Sequence, residues 1–235
     1  MLLEVKDLNT YYGASHVLQG ISLTLDQGEI VALLGRNGMG KSTTLKSIMG
    51  LVKPRSGEVI FRGKDIAGYP PYKVARVGIG YVPEERRIFP KLSVLENLSM
   101  GVKAEKAGKD NGWSLDRIFE HFPLLKERSN SKGSHLSGGE QQMLAIGRTL
   151  MGNPELLMVD EPTEGLSPLL VKEVRDMVAD INKAGVSILL VEHNLKVAMS
   201  LADRVYLMGK AHIGFAGDVQ ELEAKPEIRE KYLEV

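Results

Sequence analysis

Ile21, Leu23 and Leu25 alternate with Ser22, Thr24 and Asp26, the period of two expected of a strand with one covered face. Val59 and Phe61 repeat that alternation less cleanly among Glu58, Ile60 and Arg62. Both segments suit an antiparallel sheet. Three other stretches, 30–34, 156–159 and 188–191, are apolar throughout. Uninterrupted apolar runs of strand length predict central parallel strands covered on both faces. Helical periodicity lies between them, at about 41–51, 141–151 and 168–183. Strands alternating with helices predict a doubly wound α/β layer.

The middle of the chain breaks this rhythm. From about 85 to 150 the signals are helical, with almost no strand. Ser93 and Glu96 have the S-x-x-E spacing of a capping box and open the apolar pattern Val94, Leu95, Leu98. Residues 103–114 are polar and glycine-bearing, which predicts a mobile loop. Residues 115–127 predict a helix carrying Leu115, Ile118, Phe119 and Phe122, with Pro123 near its end. This middle reads as a helical insertion into the α/β core. No internal repeat is evident.

Composition narrows the picture. A chain of 235 residues is one large domain or two small ones. Lys plus Arg and Asp plus Glu both number 30, so the formal charge is zero. A general nucleic-acid binder usually carries a basic excess, and no nucleic-acid partner is expected. The absence of cysteine excludes disulfides and thiolate metal sites and fits a cytoplasmic location. No apolar run approaches the roughly 18 residues of a membrane helix. Any membrane role is therefore expected to come through a partner.

Four clusters carry chemistry. Gly35 to Ser42 reads G-x-x-x-x-G-K-S, after an apolar strand and before a helical pattern. Such glycines let amides curl around a phosphate; Lys41 would place a charge between phosphates, and Ser42 would offer its hydroxyl to Mg²⁺. Gly35, Asn37, Gly38, Gly40, Lys41, Ser42 and Thr43 are the candidate phosphate-binding residues. The strand at 156–159 ends in Asp160 and Glu161. Asp160 would hold Mg²⁺ and Glu161 would orient or deprotonate an attacking water. His193 follows the next apolar strand, at the sheet edge where ligands bind. His16, His121, His135 and His212 lack such a context.

The fourth cluster, Leu136 to Gln142, reads LSGGEQQ. Ser137 and Glu140 again have capping-box spacing, ahead of Met143, Leu144, Ile146 and Leu150. Gly138 and Gly139 are expected to leave the first-turn amides uncovered, a ready anion site with the Ser137 hydroxyl. Earlier in the chain, an aromatic face at Tyr12 could stack on a base, with Tyr11 as the competing candidate.

In order and spacing these motifs resemble those of ATP-binding cassette (ABC) ATPases, along the whole chain. The resemblance implies a P-loop NTPase (RecA-like) core with an antiparallel β-subdomain and an inserted helical subdomain. It implies one nucleotide-binding domain over 1–235, with core segments 1–83 and 150–235 and a helical subdomain at 84–149. It implies ATP with Mg²⁺ at the interface of a head-to-tail dimer. Tyr12 matches the adenine-stacking aromatic, Glu84 the Q-loop position, Glu161 the catalytic carboxylate and His193 the switch histidine. Lys41, Glu161 and His193 are then catalytic. Ser137, Gly138 and Gly139 serve the nucleotide, and Ser42, Glu84 and Asp160 the metal.

Residues 81–90 (YVPEERRIFP) resemble the VPEGRR-x-FP pattern of ATP-binding subunits of branched-chain amino-acid importers. Residues 136–148 and 161–168 look like the same branch, as does the ending at Arg229 to Leu233. The ATPases of urea or short-amide importers are similar too, and the LGRNG of the phosphate loop leans their way. The function implied is energy coupling in an importer, peripheral on the inner membrane face. Membrane subunits would dock near 85–92, with Ile88, Phe89 and Leu92 as a groove, and a separate binding protein would deliver cargo. The alternative is a non-transport ABC ATPase acting in assembly or repair. A P-loop kinase or GTPase has no use for the LSGGEQQ heptad. Three positions depart from the usual pattern: Glu84 replaces glutamine, Glu85 replaces glycine and Ser167 replaces aspartate. His193 restores a histidine where this branch often has glutamine.

Overall fold

The computed structural model describes residues 1–103 and 112–233. The chain begins with β1 (Leu3–Tyr12), β2 (Ser15–Leu25), β3 (Ile30–Gly35), α1 (Lys41–Ile48), β4 (Ser56–Phe61), β5 (Lys64–Asp65), α2 (Pro71–Val77) and β6 (Ile79–Val82). Helices follow: α3 (Val94–Ser99), α4 (Leu115–His121), α5 (Pro123–Glu127) and α6 (Gly138–Leu150). Then come β7 (Leu156–Asp160), α7 (Pro168–Lys183), β8 (Ser187–Val191), α8 (Leu195–Leu201), β9 (Arg204–Gly209), β10 (His212–Asp218), α9 (Val219–Glu223) and α10 (Pro226–Tyr232).

Two sheets result. Antiparallel strands order as β2-β1-β4-β5, and a larger sheet orders as β10-β9-β3-β8-β7-β6. In the larger sheet β9, β3, β8, β7 and β6 are parallel and β10 returns antiparallel at the edge. The all-apolar segments β3, β7 and β8 are its buried centre. One face sends Val31, Leu33, Met158 and Leu189 into a core shared with the antiparallel sheet and α1. The other sends Leu157, Val159, Ile188 and Leu190 into a core shared with α3 to α7. Strands covered on both faces lose the polar alternation of half-exposed ones.

The inserted helices join that second core: Val94, Leu98, Ile118 and Leu125 pack with Leu144, Leu150 and Met177. Residues 84–103 and 112–149 contribute no named strand, only the isolated bridge between Ser93 and Lys132. The helix expected over 115–127 is two helices. Phe122 leaves helical geometry (φ −128°, ψ 70°) and Pro123 starts α5. Proline lacks the N–H that would continue α4 and forces the preceding residue out of the helical region. Of the loop expected over 103–114, residues 104–111 lie outside the described residues, and Trp113 is buried in the second core. The capping boxes at Ser93 and Ser137 both form, each serine accepting from the glutamate amide three residues on.

Candidate nucleotide site

At the carboxyl end of β3 the chain turns through Gly35 to Gly40 into α1. Gly35 has φ 147°, and a Cβ there would stand 2.5 Å from the Met208 carbonyl oxygen, so the turn needs a residue without a side chain. Gly40 is the N-cap of α1 in left-handed geometry, with no side-chain cap and no acidic residue in the first turn. The amides at this end are therefore left for something else to satisfy. Val17, Asn37, Gly38, Gly40, Lys41, Ser42, Thr43 and Glu161 line a cavity of about 280 Å³ here. Residues 137–139 are absent from that lining.

Lys41 is almost fully buried. Its ammonium donates to the Gly35 carbonyl at 2.8 Å and the Arg36 carbonyl at 3.1 Å, and lies 3.8 Å from Glu161. Burial lowers its pKa, with the Glu161 and Asp160 charges opposing. Ser42 Oγ donates to Asp160 Oδ1 at 3.0 Å, and the Tyr81 hydroxyl donates to Asp160 Oδ2 at 3.0 Å. Burial raises the Asp160 pKa, and those two hydrogen bonds pull it down. The Tyr81 hydroxyl is itself held well above its ordinary pKa by burial and the Asp160 charge, so it stays a donor.

Glu161 follows β7 with φ 49°, in the left-handed region, its amide donating to Val191 O at 2.8 Å. Strain of this kind is concentrated at functional sites. The Glu161 carboxylate lies 2.7 Å from His193 Nε2. Burial pushes its pKa up to about 7, against the attraction of Lys41. Glu164 stands beside Glu161 and Glu84 and its negative charge raises the pKa of both, with burial the larger cause for each. Carboxylate oxygens of Glu84, Glu161 and Glu164 all fall within 4.8 Å of one another. Burial lowers the pKa of His193, aided by the Lys41 charge. The imidazole is then neutral at neutral pH and can donate through Nε2.

The structure separates the two tyrosines. Tyr11 stacks on His16, with ring centroids 4.0 Å apart, and carries the Arg55 guanidinium 4.3 Å over its ring. Tyr12 is 48% exposed and offers an open face. The sequence alone could not make this choice, because Arg55 is distant in the chain.

At the other candidate end, the capping box takes up the amides of Ser137 and Glu140, and among the described residues no acceptor covers those of Gly138 and Gly139. Ser137 Oγ accepts from Glu140 N, and Glu140 Oε2 accepts from Ser137 N at 2.6 Å. The Arg86 guanidinium lies against Gly138, 3.0 Å from where a Cβ would stand. The Leu170 side chain lies 2.7 Å from the corresponding point on Gly139. Both side chains lie against the positions a Cβ would take, which is why these two residues lack one.

The groove expected near 85–92 also changes. Ile88 packs into the second core, whereas Phe89 stays exposed beneath the Arg148 guanidinium, 5.0 Å from its ring. Phe89 lines a cavity of about 430 Å³ with Met49, Leu51, Ala75 and Met100. Buried Asn97 shapes this segment, accepting from Phe89 N at 2.8 Å and donating to Phe89 O and Ser93 O. Arg148, on α6, donates to Arg87 O at 2.7 Å. Ser167 caps α7 by position, with no side-chain bond.

Sequence reasoning missed Tyr81, Glu164, Glu192 and Asn97. Tyr81 and Glu192 were findable as polar residues within or just after strands reaching the ligand edge. Glu164 and Asn97 carried no such signal.

The ABC transporter family description matches residues 18–164. The chain is 40% identical to the high-affinity branched-chain amino acid transport ATP-binding protein BraG of Pseudomonas aeruginosa, over 99% of each chain. It is 32% identical to the lipopolysaccharide export system ATP-binding protein LptB of Haemophilus influenzae, over 99% of this chain and 97% of that one. A solved ATP-binding subunit of an ABC transporter superposes with a TM-score of 0.83 at 31% identity, covering 97% and 95%. A dimeric post-hydrolysis state of the cassette MJ0796, bound to ADP and Pi, superposes at 0.79 and 25% identity, covering 93% and 99%. The phosphate loop, the paired carboxylates, the histidine and the capped LSGGEQ helix thus sit in a known setting: this chain belongs to the ABC transporter ATP-binding family.

Proposed function

We propose that this chain is the ATP-hydrolysing, energy-coupling subunit of an importer for branched-chain amino acids. The observation that carries the reading is the constellation at one sheet edge: Lys41 on the phosphate loop, Glu161 3.8 Å from it, and His193 2.7 Å from Glu161. The 40% identity to BraG over nearly the whole chain supports the cargo class.

In this reading the chain is one nucleotide-binding domain, with 84–149 as its helical subdomain. Tyr12 stacks on adenine. The amides of Gly38 to Thr43, with Gly35 and Asn37 shaping the loop, hold the phosphates beside Lys41. The donor set fits Mg²⁺: Ser42, Asp160 and Glu84 supply only hard oxygens, and Ser42 and Asp160 already stand within hydrogen-bond distance of each other. When bound there, Mg²⁺ neutralises charge on the phosphates. Glu161 takes a proton from the attacking water as its oxygen bonds to the γ-phosphorus and the bond to the β-bridging oxygen breaks. His193 Nε2–H, which meets Glu161 before nucleotide arrives, turns to the γ-phosphoryl oxygens once ATP is bound. Ser137, Gly138 and Gly139 serve the nucleotide of a second subunit, because they do not line this chain's own cavity.

No helix among the described residues is long and apolar enough to cross a membrane. Attachment is through permease subunits received beside Phe89, Leu51 and Met100, at the inner face of the membrane. Arg148 joins that surface to the signature helix. Co-purification from detergent-solubilised membranes tests this. Recovery with permease subunits, and leucine uptake that fails in the Lys41→Ala strain, is expected. Recovery with lipopolysaccharide-export components, or with no membrane protein, would overturn it.

A further inference from the structure

Glu192 is 2% exposed and follows β8 directly, yet none of the chemistry above uses it. Its Oε1 accepts from His193 N at 2.8 Å and from Asn194 N at 2.9 Å. Its Oε2 accepts from Thr163 Oγ1 at 2.8 Å. Thr163 is buried two residues beyond Glu161, on the loop after β7. One side chain therefore spans the two loops that carry Glu161 and His193. Among the described residues it has no ion-pair partner. A buried carboxylate without a cation is costly, and an apolar pair would fill the space with less penalty. The three donors converge on it instead, and Asn194 goes on to cap α8 by accepting from Val197 N.

Strands β7 and β8 are already neighbours, with Asp160 opposite Val191. Backbone pairing reaches Glu161, whose amide donates to Val191 O, but it holds neither Thr163 nor His193. The Glu192 bridge acts on those residues. We propose that Glu192 is a positioning residue that clamps the His193 loop to the Glu161 loop, so that imidazole and carboxylate meet before nucleotide arrives. The proposal rests on the reading of Glu161 and His193 as the hydrolytic pair.

Glutamine can reproduce the bridge: its carbonyl accepts the two amides, and its NH₂ donates to a rotated Thr163 hydroxyl. Leucine cannot. Glu192→Leu is expected to lower kcat for ATP about 30-fold, in line with the cost of misplacing reacting groups by about 1 Å. KM for ATP should stay within about twofold, and Glu192→Gln should recover most of kcat. Thr163→Val breaks one arm only and should lower kcat about fivefold.

A readout that needs no ATP accompanies these. The proton held between His193 Nε2 and Glu161 should give an imidazole ¹⁵N–¹H correlation at low temperature, expected in wild type and Glu192→Gln and lost in Glu192→Leu. A Glu192→Leu protein with a lower Tm but unchanged kcat and a retained correlation would make Glu192 merely structural and overturn the proposal. Should that variant not fold, unchanged kcat in Thr163→Val would overturn it equally. If wild type hydrolyses no ATP, the functional reading fails, while the correlation still reports on the clamp.

Discussion

Two helices of this molecule begin at glycine-rich turns, and they begin differently. α1 starts at Gly40 in left-handed geometry with no side chain over its amides. α6 starts at Ser137 and caps part of its own end, serine and Glu140 each satisfying the other's backbone. The first end has no side-chain cap at all; the second is capped at its edges and keeps the amides of Gly138 and Gly139 open. A phosphate meets exposed donors at α1. At α6 it would meet two glycine amides with the Arg86 guanidinium lying against Gly138. In the proposed function the α1 end holds the chain's own nucleotide, and the α6 end meets the nucleotide of a second chain.

That contrast can be broken deliberately. The largest effect is expected from Glu161→Gln, which should lower ATP turnover by roughly 10³-fold while leaving both helix ends intact. Gel filtration with ATP should then show a trapped dimer, and a monomer would contradict the two-chain site. The same substitution should raise stability, for a reason that fixes the sign. Burial holds the Glu161 pKa at about 7, above its ordinary value of 4.5. The folded state therefore binds the proton more tightly, and stability falls as pH rises from about 4.5 to 7. Glutamine has no charge to bury, so its advantage should be small near pH 5 and reach roughly 3–6 °C in Tm at pH 8.

Ser137→Arg comes next. Turnover should fall more than about 100-fold, with ATP affinity of the isolated chain within about twofold. Lost ATP binding would mean that α6 serves its own chain's nucleotide. Ser137→Ala is milder and tests the cap alone, with a loss of about 1 kcal/mol in thermal or urea unfolding. Glu84→Gln should give the smallest change. It keeps an oxygen beside the metal position but removes one carboxylate from the trio with Glu161 and Glu164. Less negative charge lowers the Glu161 pKa, so the alkaline-going rise in ATPase rate should start at lower pH. A rise moved to higher pH would mean that Glu84 does not act on Glu161 by charge.

What could be read from the sequence was local. The strand before Gly35, the capping boxes at Ser93 and Ser137 and the helix over Pro168–Lys183 follow from periodicity and spacing within a few residues, and the structure has them. β1 was less legible because Asp7 (φ 45°) sits at a register shift that breaks its alternation. β6, four residues long, offers too short a pattern. At the site, Lys41, Asp160 and Glu161 stand in recognisable motifs. Their partners do not: Tyr81 reaches Asp160 and Glu192 reaches Thr163 only because parallel pairing sets distant strands side by side. The capped end of α6 was half legible. The Ser137–Glu140 box was in the spacing, but Arg86 over Gly138 depends on how the chain after β6 folds back.

The resting contacts of Lys41 bear on nucleotide binding. Two of its three N–H groups already point at the carbonyls of Gly35 and Arg36. An incoming phosphate therefore exchanges partners with the backbone instead of rescuing an orphaned cation, and a departing one leaves no stranded charge behind. What the lysine adds to binding is therefore the difference between phosphate and carbonyl oxygens as partners for the same N–H groups.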